Sequence, residues 1–542
     1  MKGRSSLNTN DPSLLITGAD IITHDRERPS ADSMLVHGDR IIAAGNEEEI
    51  KKSVEGYSFI HLRLSGQTIL PGFTDSHIHL GSLSRRKLAL DVSGTRSREE
   101  LFSLLEEASS RKDPKSWIWC EGLNENNWQD NVIPRRWDLD RLGLPNPVLI
   151  NRVCTHVSIA NSVAMERAGV ETDSEGLLLE EQTLLFQQTM WLEGTNDNRS
   201  EEDLLLESCK ELAAKGITSV HTCDSPSYGL GENIGIYKNL LSRGMLPLRA
   251  TIYSERWPEE EDLADLPKGD RIMYGGLKVF LDGSIGGYTA ALSAPYEDRK
   301  DSMGLLNHGT EELKDLIAHA EEMNIQIAFH VIGDRALDQL LEALGSLKRN
   351  ISIRHRGIHL QMCRPEQLKK LRNLDLVCDI QPVFVPSEIQ MAYEKLGKWR
   401  IKWSYPWKDL LGSGLLLTGS SDAPVEEPNP LVGIWAAVNR TDYSGDPQSV
   451  FRPDQCLDLM DAISLFTSNP AIATGSDIPL GRIKEGFLAD LVILDRNIKE
   501  TERSQIRNIR PLYTFSGGRL SYGNIEHWPS FTLSGKDLSL AR

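Results

Sequence analysis

Two histidines lie close together at the end of an apolar segment near the start of the chain. The segment TILPGFTDSHIHL covers residues 68–80 and places His77 and His79 two positions apart. Residues i and i+2 of a β-strand project from the same face, so both imidazoles can approach one point. Neutral imidazole is a common zinc ligand, which makes the pair a candidate metal site. The alternative is a pair of partly exposed histidines at a strand end.

Three further side chains stand where other strand-like segments end. They are His330 in AFHVIGD, His359 in RHRGIHL and Asp422 in GSSDAPVEEP. Taken singly, each histidine fits a buried core position, and the aspartate fits a turn. His355 shares a strand face with His359, but His359 lies nearer the C-terminal end of that segment. Together with the first pair, these residues form a set of imidazoles and a carboxylate that suits Zn²⁺ or a similar divalent ion.

A lysine in another apolar segment does not fit a metal site in its ordinary form. Lys278 stands in GGLKVFLDGS, where an ammonium would be repelled by a metal and costly to bury. Either it faces solvent, or it pairs with Asp282, or its chemistry is altered. A lysine amine that has reacted with CO₂ is a carbamate, an anion whose two oxygens can bridge two metal ions. The last alternative makes Lys278 a candidate ligand.

A scaffold that gathers strand ends must position these residues. Short apolar segments rich in β-branched residues are typical of buried parallel strands, and helix-like segments lie between several of them. The strand segments are 68–80, 217–223, 246–253, 276–283, 325–333, 351–360, 374–382 and 414–424. Strands that alternate with helices predict an α/β fold, a (β/α)8 barrel of the TIM type, whose active sites lie at the C-terminal ends of its strands.

Both ends of the chain fall outside this alternation. Residues 1–70 and 473–542 contain short alternating segments that turn at Gly and Asp, as antiparallel strands do. We predict that they combine into one small β-sandwich domain beside a hydrolase barrel of residues 71–472. The interval of about 95–205 is rich in tryptophan and too long for a structureless loop. It predicts a subdomain inserted after the first barrel strand and able to cover the barrel mouth.

Composition disfavours several classes of partner. The 542 residues carry a formal net charge of −18, a charge that repels phosphate backbones, so we expect no nucleic-acid partner. No apolar run approaches the roughly 20 residues that span a bilayer, and no signal peptide is evident, so we expect no membrane partner. Seven scattered cysteines without a CxxC pair indicate reduced thiols and a cytoplasmic location.

Several motifs, in order along almost the whole chain, resemble one family. The matching motifs are LPGFTDSHIHL, GLKVFLDGSIGGYTAAL, FHVIGDRALD, RHRGIHL, GSSDAPVEEPNPL and PLGRIKEGFLADLVILD. They resemble the amidohydrolase superfamily, and specifically its YtcJ-like branch (amidohydrolase family 3), which includes N-substituted formamide deformylases. The resemblance implies a metal-dependent hydrolase that acts on a small-molecule amide and cleaves a carbon–nitrogen bond other than a peptide bond.

The resemblance also implies a role for each candidate ligand. The implied ligands are His77, His79, Lys278, His330, His359 and Asp422. The first-strand histidines and Asp422 bind one ion, and His330 and His359 bind a second ion. Carboxylated Lys278 bridges the two ions, which we expect to be Zn²⁺. A hydroxide between them is the nucleophile, and Asp422 takes its proton and passes it to the leaving amine.

Other matched positions concern the substrate rather than the metal. The predicted substrate contacts are Trp128, His156, Asn161 and Tyr288. Packing inside the inserted region is an equal alternative for Trp128. The chain departs from the family pattern at Ile358, where a glutamate is frequent, and at Gly287-Tyr288, where a Ser-Arg pair is common. These departures leave the metal ligands intact and alter the residues around them.

Two other functions stay open at this point. A zinc deaminase of the same superfamily usually binds one metal and places a glutamate near a strand-end histidine, whereas no glutamate follows His330 before Glu342. A catalytically silent binding or regulatory homologue would be favoured by a lost ligand, and the motifs retain all of them. A homodimer is an open alternative for the oligomeric state.

Overall fold

The computed structural model describes most of the chain. The described residues are 13–54, 59–152, 157–170, 175–179, 181–193, 199–224, 230–347, 353–475, 477–524 and 531–534. His156, one of the predicted substrate contacts, lies outside them. The chain divides into two compact units, one of residues 81–205 and one of residues 1–80 and 206–542.

The described residues form strands and helices throughout both units. The strands are β1 Ser13–Ile22, β2 Ser30–His37, β3 Arg40–Gly45, β4 Phe59–Arg63, β5 Thr68–Pro71, β6 Phe73–Ile78, β7 Leu90–Asp91, β8 Ile118–Leu123, β9 Val148–Arg152, β10 Val157–Ala160, β11 Leu177–Leu179, β12 Ile217–Cys223, β13 Arg249–Ser254, β14 Ile272–Phe280, β15 Ile327–Val331, β16 Arg356–His359, β17 Val377–Ile380, β18 Leu416–Gly419, β19 Leu491–Leu494, β20 Pro511–Ser516, β21 Arg519–Tyr522 and β22 Phe531–Ser534. The helices are α1 Glu47–Ser53, α2 Leu80–Arg85, α3 Arg98–Arg111, α4 Arg136–Asp140, α5 Ser162–Arg167, α6 Glu181–Glu193, α7 Glu201–Ala214, α8 Leu230–Ser242, α9 Glu260–Ala264, α10 Thr310–Glu322, α11 Asp334–Ser346, α12 Pro365–Leu371, α13 Phe384–Arg400, α14 Trp407–Gly412, α15 Pro430–Asn439, α16 Leu459–Leu465 and α17 Ser468–Ala473. Among these helices, none is long and apolar enough to cross a bilayer.

One sheet consists of eight parallel strands in chain order. It runs β6, β12, β13, β14, β15, β16, β17 and β18. Every residue of β6 and β12 is buried, as expected of strands covered on both faces. The first and last strands meet where Ser76 Oγ donates to Gly419 O at 2.9 Å and Asp422 N donates to His77 O at 2.9 Å. The sheet therefore nearly closes, which confirms the prediction of a TIM-like barrel.

Some strand ends differ from the predicted ones. The strand predicted at 246–253 begins at Arg249. Pro247 precedes it and has no N–H to donate to a ladder, which delays the pairing. The fourth strand begins earlier than predicted, at Ile272, and shifts its register next to Gly276. Gly276 has φ of 143°, a conformation that glycine adopts readily, so one strand continues through a position that sequence reasoning placed at its start.

The two ends of the chain share a nine-stranded sheet. Its order is β21, β20, β19, β5, β1, β2 and β3, and β4 pairs with β1 and β22. β19 runs antiparallel to β5, where Val492 lies opposite Leu70. A buried apolar cluster draws its residues from both ends of the chain. Both ends therefore meet in one sheet, whereas the predicted sandwich and the domain limits at 1–70 and 473–542 stay predictions.

The chain passes from this sheet into the barrel through one glycine. Gly72 alone separates β5 from β6. A Cβ on Gly72 would lie 2.2 Å from Thr218 Oγ1, so a larger residue would displace the neighbouring strand. The Gly72 N–H donates to Asp490 O at 2.8 Å. This close approach fixes where β6 begins, the strand that carries His77 and is followed directly by His79.

A buried ion pair joins the start of β13 to the residue before β19. Arg249 donates to both oxygens of Asp490 at 2.9 Å, and both side chains are buried. Asp490→Ala would leave this guanidinium with Asp270 as its remaining carboxylate, so we expect a loss of about 3–5 kcal/mol of unfolding free energy, measured by urea denaturation. Asp495→Ala removes a pair with the more exposed Arg496 and should cost about 1 kcal/mol or less. Equal losses of unfolding free energy in the two variants would contradict a larger contribution from the buried pair.

Residues 81–205 form their own unit around a five-stranded sheet. The strand order is β11, β10, β9, β8 and β7. The tryptophans that mark this region in the sequence supply much of its interior, since Trp117, Trp119 and Trp128 are buried. The predicted limits of the insertion, at about 95–205, and its place over the barrel mouth stay predictions.

Candidate metal centre

His77, His79 and Asp422 meet where the first and last barrel strands end. Asp422 Oδ1 lies 3.1 Å from His77 Nε2 and 3.4 Å from His79 Nε2. One possible ligand atom of each residue lies within 4.8 Å of the other two. Asp422 Oδ1 is buried, yet it accepts no hydrogen bond from the described part of the chain. This buried oxygen faces two imidazole nitrogens and has no hydrogen bond of its own to the described residues. Such an arrangement suits a cation bound by all three residues.

The surroundings of the two first-strand histidines favour metal binding. His79 Nδ1 lies 2.5 Å from Cys223 O. A carbonyl only accepts, so Nδ1 carries the proton and Nε2 presents its lone pair toward Asp422. Burial and the charge of Lys278 lower the pKa of His77 to about 4. His77 is therefore neutral near pH 7, which is the form that binds a metal.

His330 and His359 face each other at the ends of β15 and β16. His330 Nε2 lies 3.2 Å from Gly283 O, and His359 Nδ1 lies 2.8 Å from Gln381 Oε1. With these nitrogens protonated, His330 Nδ1 and His359 Nε2 direct lone pairs at each other across 3.1 Å. Burial lowers the pKa of His330 to about 3 and that of His359 well below its ordinary value. Two facing lone pairs repel each other, so this pair also fits a cation.

Lys278 lies beside the first histidine pair. Its Nζ is 3.2 Å from His77 Nε2, and its side chain is 2% exposed, so the alternative that it faces solvent is wrong. Asp282, its other suggested partner, accepts backbone N–H groups instead, those of Ala291, Ile332 and Gly333. Burial lowers the pKa of Lys278, which favours the neutral amine that can react with CO₂.

All six side chains that the sequence singled out as ligands lie together. The ring centroids of His77 and His359 are 5.6 Å apart, which joins the two groups described above. His355, the competitor of His359, is used elsewhere, because its Nδ1 accepts the N–H of Ile327 at 3.0 Å. The structure thus shows the convergence of these residues, and their role as ligands stays a prediction.

Two of the predicted substrate contacts have other partners in residues 81–205. Trp128 is buried among apolar side chains, and its Nε1 donates to Thr95 O at 3.1 Å. Asn161 caps α5 by accepting the N–H of Ala164 at 2.9 Å, and it accepts that of Val148 at the same distance. These contacts support packing as the role of Trp128. A substrate role for either residue stays a prediction.

The two departures from the family pattern lie in different surroundings. Tyr288 donates its hydroxyl to Asp298 at 2.8 Å, and Lys395 Nζ lies 3.2 Å from the centroid of its ring. Its substrate role likewise stays a prediction. Ile358 is buried in an apolar cluster with Cys223, Tyr253 and Ala328. An ionised glutamate would be costly to bury there, which accounts for an apolar residue at this position in this chain.

Sequence reasoning missed the groups that orient the ligands. Cys223 ends β12 and offers its carbonyl to His79, and Gln381 follows β17 and offers its amide to His359. These are the second and seventh barrel strands, which supplied no predicted ligand. The available signal was their position at a predicted strand end, where side chains of a barrel reach the active site.

Known proteins that resemble this chain point to one family. Residues 64–522 match the amidohydrolase family. The chain is 29% identical to the putative amidohydrolase YtcJ of Bacillus subtilis (strain 168), over 93% of this chain and 98% of that protein. It is 25% identical to the N-substituted formamide deformylase of Arthrobacter pascens, over 94% of this chain and 98% of that protein.

A solved structure has a similar fold. An uncharacterized metal-dependent hydrolase from Pyrococcus horikoshii OT3 superimposes with a TM-score of 0.75 at 26% identity. The match covers 91% of this chain and 99% of that protein. These likenesses confirm the resemblance found in the motifs. The chain therefore belongs to the amidohydrolase family, in its YtcJ-like branch.

Proposed function

We propose that the protein is a metal-dependent hydrolase that cleaves the carbon–nitrogen bond of a small amide, N-acyl or N-formyl compound. One observation carries this proposal, the convergence of unprotonated ligand atoms at the C-terminal ends of the barrel strands. Asp422 Oδ1 faces the first histidine pair, and His330 Nδ1 faces His359 Nε2 across 3.1 Å. Family membership supports hydrolysis of amide-type bonds, and the likeness to a formamide deformylase supports a carbon–nitrogen bond.

The residues of the site fit two divalent ions, for which we propose Zn²⁺. His77, His79 and Asp422 would hold one ion, and His330 and His359 would hold the other. Carboxylated Lys278 would supply an anionic oxygen to each ion. Such ions lower the pKa of a coordinated water and polarise a substrate carbonyl. The four imidazoles and the carboxylate are the donor set that Zn²⁺ prefers.

Asp422 is suited to move a proton during the reaction. Its Oδ1 lies 3.1 Å from His77 Nε2 and accepts no hydrogen bond from the described residues. In its ionised form the carboxylate can take a proton from the attacking water. It can then give that proton to the nitrogen of the leaving amine. The bond from Asp422 N to His77 O holds the residue beside the first histidine pair.

A substrate panel tests this function directly. We expect the zinc-loaded protein to release a carboxylate and an amine in equal amounts from at least one class among N-formyl, N-acetyl and longer N-acyl compounds. The matched control is the same protein after removal of metal by a chelator, which should be inactive until zinc is restored. Release of ammonia without a carboxylate would favour the deaminase, and binding without turnover would favour a silent homologue.

A cytoplasmic location and a small-molecule partner belong to the same proposal. Within the described residues, the cysteines are free thiols, and Cys120, Cys209 and Cys378 are fully buried. Buried thiols of this kind suit a reducing compartment. The homodimer stays an open alternative, which the mass of the protein in solution would decide.

A further inference from the structure

Gln381 lies directly after β17, the seventh barrel strand, and beside His359. Its Oε1 is 2.8 Å from His359 Nδ1, and both side chains are buried. We propose that Gln381 is a positioning residue that places the proton and the ring of His359, and thereby sets the affinity of the ion held by the His330 and His359 pair. This inference rests on the proposed function, because it concerns one ion of that centre.

The side-chain amide of Gln381 has one orientation that satisfies its neighbours. Its Nε2 donates to Ser420 Oγ at 2.9 Å and lies 3.5 Å from Asp379 O. Ser420 Oγ uses its own hydrogen toward a backbone carbonyl at 3.4 Å, so both neighbours on this side are acceptors. The amide oxygen must therefore face His359. It accepts the proton of Nδ1 and leaves Nε2 with a free lone pair.

Removal of this amide would give His359 a competing hydrogen bond. Its Nε2 lies 3.1 Å from His330 Nδ1. If Nδ1 lost its acceptor, the proton could move to Nε2 and form a bond between the two histidines. That bond would occupy the two lone pairs that the ion needs. Gln381 therefore excludes a state in which the pair binds itself rather than a metal.

Two of the other histidines depend on groups that substitution leaves in place. His79 and His330 lie against the backbone carbonyls of Cys223 and Gly283, which every residue type provides. His359 relies on a side chain instead. Phe384 stacks on the His359 ring, with the two ring planes 15° apart. This contact covers one face of the imidazole but offers no acceptor to Nδ1. Substitution of Gln381 should therefore weaken one ion of the pair and spare the other.

Zinc titration of three variants of the full chain tests this inference. Gln381→Leu removes the acceptor, and we expect the affinity for one of two zinc ions to fall about 10–100-fold, as loss of a partner of a metal-ligating histidine typically does. Gln381→Glu keeps an oxygen toward Nδ1, and the Ser420 hydroxyl can turn its hydrogen to the second oxygen, so this variant should bind both ions more tightly than Gln381→Leu does. The matched control is Gln361→Leu, because Gln361 is equally buried (both 3% exposed) but donates to Glu388 at 3.2 Å.

The readouts are the number of bound ions, measured by elemental analysis, and each dissociation constant against a chelating dye. The inference is supported if Gln381→Leu selectively loses one ion, Gln381→Glu regains it, and Gln361→Leu keeps both. Wild-type affinities in Gln381→Leu, or an equal loss in Gln361→Leu, would overturn it while the proposed function stands. A wild-type protein that binds fewer than two ions would overturn the two-ion centre itself, and this inference with it.

Discussion

Asp422→Asn should lower kcat by about 10²–10⁴-fold while the protein still binds its substrate. Asparagine keeps the shape of the side chain and one oxygen that can face the first histidine pair. It cannot take a proton from water or return one to a leaving amine. The measurement is kcat and KM for whichever amide the panel identifies, together with the zinc content of the variant. KM should change much less than kcat.

The metal content separates the two roles that Asp422 combines. A variant that retains its zinc but loses turnover has lost the proton acceptor, whereas a variant that loses an ion has lost a ligand. Asp446→Asn makes the same chemical change at an exposed turn and should leave both quantities unchanged. Turnover within a few-fold of wild type in Asp422→Asn would exclude the proposed proton transfer.

The barrel and its candidate site could be predicted because each rests on a local signal. Eight apolar segments were enough to identify parallel strands, since such strands are buried on both faces. The C-terminal ends of those strands then indicated which histidines converge. His359 could be chosen over His355 from position alone, and the structure places His355 against a backbone N–H. Their role in binding metal is a prediction from the chemistry of imidazole and carboxylate groups, which the metal content of the protein tests.

What could not be predicted depends on contacts between distant segments. The position of Gln381 at a predicted strand end does not mark it as a partner of His359, because the contact forms only when the sixth and seventh strands pair. The same holds for Cys223, whose carbonyl meets His79 across 144 positions of the chain. Gly276 shifted a strand register without altering the apolar pattern. Such contacts arise from tertiary packing, which overrides local propensity.

The residues around the predicted ligands have contacts that the family pattern does not specify. The Trp128 indole N–H donates a hydrogen bond to a backbone carbonyl of its own unit, which supports packing, the alternative that the sequence left open. Ile358, where relatives frequently have glutamate, lies among apolar side chains that would disfavour a charge. Resemblance therefore predicts the metal ligands of this chain more directly than it predicts the residues around them.

Lys278→Ala should remove at least one zinc ion and abolish hydrolysis. The proposed carbamate supplies one oxygen to each ion, so its loss leaves both ions short of a ligand in a site whose other donors are mostly neutral. If Lys278 were unmodified and protonated, it would bring an ammonium to within 3.2 Å of His77 Nε2, which opposes metal binding. Elemental analysis gives the metal count, and mass spectrometry of the intact wild-type protein tests for the added CO₂.

Rescue by a small acid would distinguish a lost ligand from a damaged fold. Alanine leaves space at residue 278, and acetate or propionate in the buffer can enter that space and supply a carboxylate to the ions. We therefore expect the acids to restore part of the zinc binding and part of the activity, with no effect on wild type. Lys314→Ala, at a half-buried lysine paired with Glu311 on α10, is the control and should keep full activity. If Lys278→Ala kept all of its zinc and turned over normally, the bridging role would be ruled out. Among the described side chains, Lys278 alone is proposed as a ligand of both ions.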